Sequence, residues 1–484
     1  MSPTLIFVIF VVYTVLLFFI TWLTSRKATN RGFFIGNKES PWMVVAYGMI
    51  GASLSGVTFM SVPGWVGATQ FSYMMVVFGY LVGYFVIATV LMPMYYRLNL
   101  TSIYSYLEKR FGFWSYKTGA FYFLLSRTIG ASFRMFLVVN VLQVFVFDAW
   151  GVPFWATTMI FIILILLYTY KGGIKTIIWT DTVQTTFMLL ALLVTIGLIL
   201  QELGTGFPGM LREILDSGYS KMVFTEWGDR RFFLTQFLSG AFIAIVMTGL
   251  DQEMMQKNLS CRSLKDAQKN MFSFSAVLVV VNFLFLFLGA LLYVYATSKG
   301  IDVPARSDDL FPMIAIRYLG PVAGVVFLVG LISAAYPSAD GALTSLTTSF
   351  SIDFIGLNKK EHLTEKERRQ IRYLVHIAFA TLLLLVIILF RAINDQAVID
   401  KLFTIAGYTY GPLLGLYAFG LFTKFRVRDR FVPIVAVLSP VICYLLNQFS
   451  GVLFNGYRFG FELLIVNGFI TFAGLLLLRV KREE

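Results

Sequence analysis

Apolar stretches of about 20 residues recur along the whole 484-residue chain, each closed by a short polar break. That length is what a hydrocarbon layer of about 30 Å requires of a helix rising about 1.5 Å per residue. Inside hydrocarbon every backbone amide and carbonyl must be satisfied within its own segment, so spanning units of this size are helical. The first stretch, "PTLIFVIFVVYTVLLFFITWL", is too long for a signal-peptide core and lacks a small-residue cleavage site, so it reads as the first spanning helix. With 58% hydrophobic and 13% charged residues, the composition excludes a soluble globular domain. The fold class is an all-α polytopic membrane protein.

The pattern predicts thirteen transmembrane helices, with cores at 4–24, 42–66, 71–96, 118–147, 153–170, 176–202, 232–257, 270–298, 312–355, 371–391, 397–422, 431–450 and 459–478. Lys and Arg sort between alternate loops: 27 of the 39 fall after odd-numbered helices and in the C-terminal tail, against nine on the opposite side. By the positive-inside rule this puts the N-terminus outside and the C-terminus in the cytoplasm of a cell membrane. The net charge of +13 is therefore an orientation signal with some contact to anionic lipid, and nucleic acid is not needed as a partner. The long external loop at about 203–231 contains "MLREIL", which reads as a surface helix, and "KKEHLTEKERRQIR" reads as a charged helical extension on the cytoplasmic side. Two cysteines, Cys261 and Cys443, form neither a disulfide framework nor a metal spacing. Composition leaves the oligomeric state and the solute open.

Polar residues inside the spans carry the functional signal. Helix 2, "YGMIGASLSGVTFMSVPGW", has Gly48, Gly51 and Gly56 among Ser53, Ser55, Thr58 and Ser61. Two readings fit: close helix packing through small residues, or a locally unwound helix whose carbonyls face a ligand or cation. Helix 9 contains "SAAYPSADGALTSLTTSF". Pro337 cannot donate to the Ser333 carbonyl and is expected to open that turn, with Ser338 and Asp340 one turn on. An acid at the bilayer centre costs roughly 2.5–3.5 kcal/mol on insertion. Carbonyl, hydroxyls and carboxylate together form an oxygen set suited to a hard cation; the alternatives are a proton site and an aspartate paired for structure to an arginine or to neutral hydroxyls. Helix 6 adds Asp181. Helix 4 carries Arg127, expected to snorkel toward the cytoplasm, and Arg134, too deep for that, which pairs with an acid or binds an anionic solute. Lys401 is a further intramembrane cation, and His376 reads as structural. No GxxxxGK[ST], GxSxG or HExxH occurs, and two histidines with scattered cysteines make no zinc or other transition-metal cluster, so the chain does not read as an enzyme.

"GASLSGVTFMSVPGW", "YKGGIKTIIWTDTVQ", "DQEMMQKNLS" and "SADGALTSLTTSFSIDF" resemble the sodium:solute symporter family, over nearly the whole length. The resemblance implies the leucine-transporter fold in one transmembrane domain, 1–484. Helices 2–6 (42–202) and 7–11 (232–422) would form a 5+5 inverted repeat, with helix 1 and helices 12–13 (431–478) peripheral. It implies Na+ as coupling ion, symport of a small polar solute (a sugar, amino acid, sialic acid or carboxylate) and alternating access within the lipid bilayer. By position the sodium ligands are the carbonyls of Gly51, Leu54 and Ala334 and the hydroxyl of Ser338. Pro337 stands where the family usually has a second hydroxyl. Asp181 matches a further sodium ligand of some members, while Asp340 and Gly341 replace that site's serines. The substrate position falls near Ser55 and Thr58, with Arg134, Thr404 and Tyr408 as candidates. Val57, Thr58 and Thr404 lack the Glu-Gln and Gln of hexose carriers. The remaining alternatives are proton coupling through Asp340 or Asp181 and, remotely, a solute sensor or channel.

Overall fold

The structure is a computed structural model describing residues 2–24, 33–34, 38–360, 362–393 and 398–480. Among the described residues, eight helices are long and apolar enough to cross a membrane, and up to ten if each of two bent pairs is one span. In chain order these and the remaining apolar helices are α1 (Pro3–Thr24), α2 (Trp42–Leu54), α3 (Gly56–Thr69), α4 (Tyr73–Arg97), α5 (Phe113–Trp150) and α6 (Phe154–Glu202). They continue as α7 (Phe233–Gly249), α8 (Gln252–Leu259), α9 (Leu264–Lys299), α10 (Gly320–Phe354), α11 (Glu365–Ala392), α12 (Val398–Phe422), α13 (Asp429–Gln448) and α14 (Leu463–Leu477).

Two junctions position the site. Between α2 and α3 the chain bends by 53° at Ser55, whose φ of 10° and ψ of 174° are not helical. Between α7 and α8 it bends by 65°. Asp251 starts α8 there, its Oδ1 accepting from the amides of Glu253 at 2.9 Å and Met254 at 3.3 Å. A side-chain oxygen at this position satisfies amides that the first turn of a helix leaves unpaired. The unwound reading of helix 2 therefore fits the fold, and the unbroken helix expected over 232–257 is corrected: Leu250 and the capping Asp251 interrupt it after Gly249.

Between the broken pairs, helices approach through small residues. A Cβ added to Gly79 would run into the carbonyl of Phe237, and one added to Gly240 into the carbonyl of Val76, so α4 and α7 meet backbone to backbone. In α6 the helical course is interrupted at Gly173 (φ 61°, ψ −164°), where a Cβ would strike the backbone of Phe33. That residue separates the two helices expected over 153–170 and 176–202. α10 packs along α6 and also touches α2 and α3.

Three further expectations are revised. The helix placed at 312–355 starts at Gly320 (φ 87°), and residues 310–318 form a separate short helical segment before it. Pro337 does not break α10, which stays helical from Gly320 to Ser349. The helix placed at 371–391 starts at Glu365, so the charged segment before it is helical in its second half, as the expected helical extension is in part. The surface helix in the 203–231 loop is present as Phe207–Asp216. Cys261 and Cys443 are buried free thiols.

Candidate functional site

A cavity of about 70 Å³ opens where the α2–α3 break meets α4, α5, α7, α9 and α12. Ser55 and Thr58 line it from the break, Tyr73, Tyr80 and Tyr84 from α4, Arg127 and Arg134 from α5, and Asn282 from α9. The helix break explains the polar wall. The last turn of α2, Gly51–Leu54, ends where a helix has no further amides of its own to pair its carbonyls. Ser53 and Thr248 add two more hydroxyls, and Met247, Leu278, Leu402 and Phe403 supply apolar wall. On the side of the α3 C-terminus an aromatic group covers the cavity: Tyr73 lies 6.5 Å from Phe403, and Phe461 packs on Phe403 at 4.8 Å and on Trp65 at 6.0 Å.

Arg134 is 8% exposed, and no carboxylate lies within ion-pair distance of it among the described residues. Its Nε has no hydrogen-bond partner. Arg127, seven residues earlier on the same face, is different. It does not snorkel: it is 4% exposed, pairs with Glu253 and lies 3.9 Å from Asp251 Oδ2, so the snorkelling expectation is corrected.

That pair belongs to a network running across the protein on the α8 side of the cavity. Lys257 Nζ lies 2.7 Å from Asp181 Oδ2 on α6 and 3.4 Å from Glu253 Oε1 one turn back on α8. Tyr410 donates to Asp251 Oδ2 at 2.9 Å. Lys257, Asp181 and Glu253 are each 1% exposed or less. Desolvation on this scale is tolerated only where charges are paired and hydrogen-bonded. Asp340 is beside this network but not in contact with a cation: its Oδ2 accepts from Tyr168 at 2.7 Å and its Oδ1 from the Gly341 amide at 2.6 Å. Among the described residues no arginine pairs with Asp340; of the two structural partners considered, it is a neutral hydroxyl, that of Tyr168, that is present. Gly341 also has a steric reason, because a Cβ there would collide with the Glu253 carboxylate.

On α10 the Ser338 hydroxyl is fully buried and without a partner, and Ala334, one turn earlier, is likewise buried. On α2 the Gly51 amide donates to Thr185 Oγ1 at 3.1 Å. Thr404 and Tyr408 are not brought to the cavity. Thr404 is exposed, and the Tyr408 hydroxyl accepts from Asn447 at 2.8 Å toward α13. His376 bridges Thr169 (Nε2, 2.9 Å) and Thr347 (Nδ1, 2.8 Å), a structural role joining α6, α10 and α11.

Sequence reasoning missed Lys257, Glu253, Asp251, Tyr168 and Asn282. Two signals were present: a Gly followed by an aspartate cap in "TGLDQE", and the i,i+4 spacing of Glu253 and Lys257. Both mark a helix start inside a segment whose hydropathy alone reads as one span.

Comparison with known proteins agrees with this geometry. The sodium/sialic acid symporter SiaT of Proteus mirabilis (strain HI4320) is 24% identical over 449 residues, 86% of this chain and 85% of that protein. The sodium/sialic acid symporter NanT of Aliivibrio fischeri (strain ATCC 700601 / ES114) is 21% identical, covering 87% and 83%. The human sodium/iodide cotransporter is 24% identical over 83% of this chain and 63% of its own length. Among solved structures, a substrate-bound, outward-open Na+-coupled sialic acid symporter superposes with a TM-score of 0.83 at 18% identity, over 98% of this chain and 97% of that one. Mhp1, a nucleobase-cation-symport-1 family transporter in a closed conformation, superposes with a TM-score of 0.57 at 12% identity, over 93% and 94%. These likenesses establish a shared fold of the leucine-transporter type. The profile of the Sodium:solute symporter family matches residues 33–429, and the chain belongs to that family of membrane transporters, which are not enzymes.

Proposed function

We propose that this protein imports a small organic anion, a carboxylate in the first instance, together with sodium by alternating access. The observation that carries the solute class is Arg134. It is a buried guanidinium facing the cavity with no acid within ion-pair distance among the described residues, whereas its neighbour Arg127 pairs with Glu253. A buried cation left without a counter-charge is unfavourable, and an incoming carboxylate removes that penalty through charge-assisted hydrogen bonds. Ser55 and Thr58 at the helix break supply polar contacts on the facing wall.

Sodium would bind where α2 ends beside α10, taking the carbonyls of Gly51, Leu54 and Ala334 and the orphaned hydroxyl of Ser338. Pro337 adds to this set, because it leaves the Ser333 carbonyl without its usual helical donor. An ion there bridges the broken helix to α10 and orders the wall that holds the solute. Closing the site toward one side then takes movement of one helix group against the other. The full topology follows the same reading: thirteen spans, 42–202 and 232–422 as inverted repeats, 431–478 peripheral, N-terminus outside and C-terminus cytoplasmic. The two bent pairs, at the start of each proposed repeat, support it.

A thermal-shift screen of the purified chain with and without sodium tests both parts. Carboxylates, sialic acid included, are expected to stabilise only in sodium, and Ser338→Ala to weaken the sodium requirement's apparent affinity. Stabilisation by neutral sugars alone, or an unchanged sodium dependence in Ser338→Ala, would sink the assignment. Proton coupling is the second reading. Four buried carboxylates, Asp181, Asp251 and Glu253 in the network and Asp340 beside it, stand against two cations there among the described residues, Arg127 and Lys257. Uptake that persists without sodium and collapses with the pH gradient would favour it.

A further inference from the structure

Asp181 is a fully buried carboxylate in the membrane interior, and such a group needs a counter-cation. Two kinds are available: a mobile ion that arrives with the transported solute, or a charge tethered to the chain. We propose that the Lys257 ammonium is the resident cation at Asp181, so that the protein binds one sodium ion, at Ser338, and none at Asp181. This rests on the sodium reading above.

Three contacts carry the proposal. Lys257 Nζ sits 2.7 Å from Asp181 Oδ2, the distance of a charge-assisted hydrogen bond, with the lysine itself 1% exposed. The ammonium is held from behind by Glu253 Oε1 at 3.4 Å, and Glu253 is anchored in turn by Arg127. Asp181 Oδ1 has no partner, but the Asp340 oxygens that would join it in an ion site are already engaged. Asp340 accepts from Tyr168 and from the Gly341 amide, and the place of a side chain at residue 341 is filled by the Glu253 carboxylate. A sodium ion needs several oxygens converging on one point. Around Asp181 the point nearest its Oδ2 is taken by nitrogen. Ser338 differs in that its buried hydroxyl has neither an ammonium nor any other hydrogen-bond partner, whereas Asp181 has Lys257.

The test is a count. Radioactive sodium binding to the purified full chain in detergent is expected to saturate at one ion per chain. Lys257→Ala, which leaves Asp181 in place and vacates the ammonium position, is expected to raise the count to two. A wild-type count of two, or a monodisperse Lys257→Ala protein that still binds one, overturns the proposal. Should Lys257→Ala fail to fold, Asp181→Asn decides. It is expected to leave one site of unchanged affinity, and loss of a site or a tenfold weaker affinity would place sodium at Asp181. The sodium reading itself fails differently, through no saturable sodium in the wild type or no effect of Ser338→Ala.

Discussion

Removing Lys257 and removing Asp181 are not equivalent perturbations, and the contacts predict by how much they differ. In Lys257→Met, Asp181 Oδ2 loses its only cation, while Oδ1 has no hydrogen-bond partner to begin with. A buried charge stranded in this way costs about 3–5 kcal/mol. In Asp181→Asn the ammonium keeps Glu253 at 3.4 Å, and the amide oxygen still accepts a hydrogen bond. That loss is closer to the about 1–3 kcal/mol of a weakened buried polar contact. The double variant Asp181→Asn/Lys257→Met strands neither charge, because Glu253 retains Arg127. It is expected to recover most of the Lys257→Met loss, with a coupling of at least about 2 kcal/mol between the two sites. Unfolding by SDS titration in mixed micelles, followed by tryptophan fluorescence, measures all three against the wild type. Additive losses, or an Asp181→Asn protein less stable than Lys257→Met, would show that the pair does not hold the buried charge.

Arg134→Met should raise the half-saturating concentration of a transported carboxylate about 10- to 100-fold, from the roughly 1.5–3 kcal/mol of a charged hydrogen bond; direct binding of sialic acid and of short monocarboxylates by calorimetry checks it. Gly341→Ser should lose about 1–3 kcal/mol by overpacking against Glu253 and should not add a sodium ion, read by the same SDS titration and ion count. Gly240→Val should abolish the monodisperse protein on size exclusion, because its side chain would enter the Val76 backbone with nothing flexible to yield. Phe403→Ala should open the aromatic cover, detectable as faster modification of a cysteine placed at Ser55 by a membrane-impermeant reagent.

Hydropathy made the spans legible because each must satisfy one physical demand, the length of the hydrocarbon layer. The α2–α3 break was legible for a second reason: glycines and hydroxyl residues crowd a segment that should be apolar. The α7–α8 break was not, since its signal is one glycine and one capping aspartate. Site residues divide along the same line. Ser338 and Arg134 stand out as polar atoms in apolar helices, and the fold leaves both without protein partners. Asp181 and Asp340 stood out equally, but their partners, Lys257 and Tyr168, lie at sequence separations of 76 and 172 residues. No local pattern reports such a pairing. Thr404 and Tyr408 failed because the rotation of α12 about its axis, which decides the face turned to the cavity, is set by packing on α14 and α5.

A tethered cation has an energetic consequence for transport. One sodium entering with a monovalent carboxylate moves no net charge, so the membrane potential, about 2.3 kcal/mol per charge per 100 mV, would not act on the cycle. The sodium gradient alone would drive it, at about 1.4 kcal/mol per tenfold ratio. A second mobile sodium would double the gradient term and bring the potential in, at the cost of an ion that must leave a fully buried carboxylate on every turnover. Lys257 removes that step, because its ammonium neutralises Asp181 without dissociating into bulk water. Arg127 and Glu253 form a second tethered pair one turn away, which is present whether or not solute is bound, while Asp251 and Asp340 are held by the hydroxyls of Tyr410 and Tyr168. The groups the proposed anion and sodium would engage, Arg134 and the Ser338 hydroxyl, lie outside these pairs and have polar atoms without partners. Anion and sodium are therefore drawn to different walls of one site, and each becomes more favourable when the other is present.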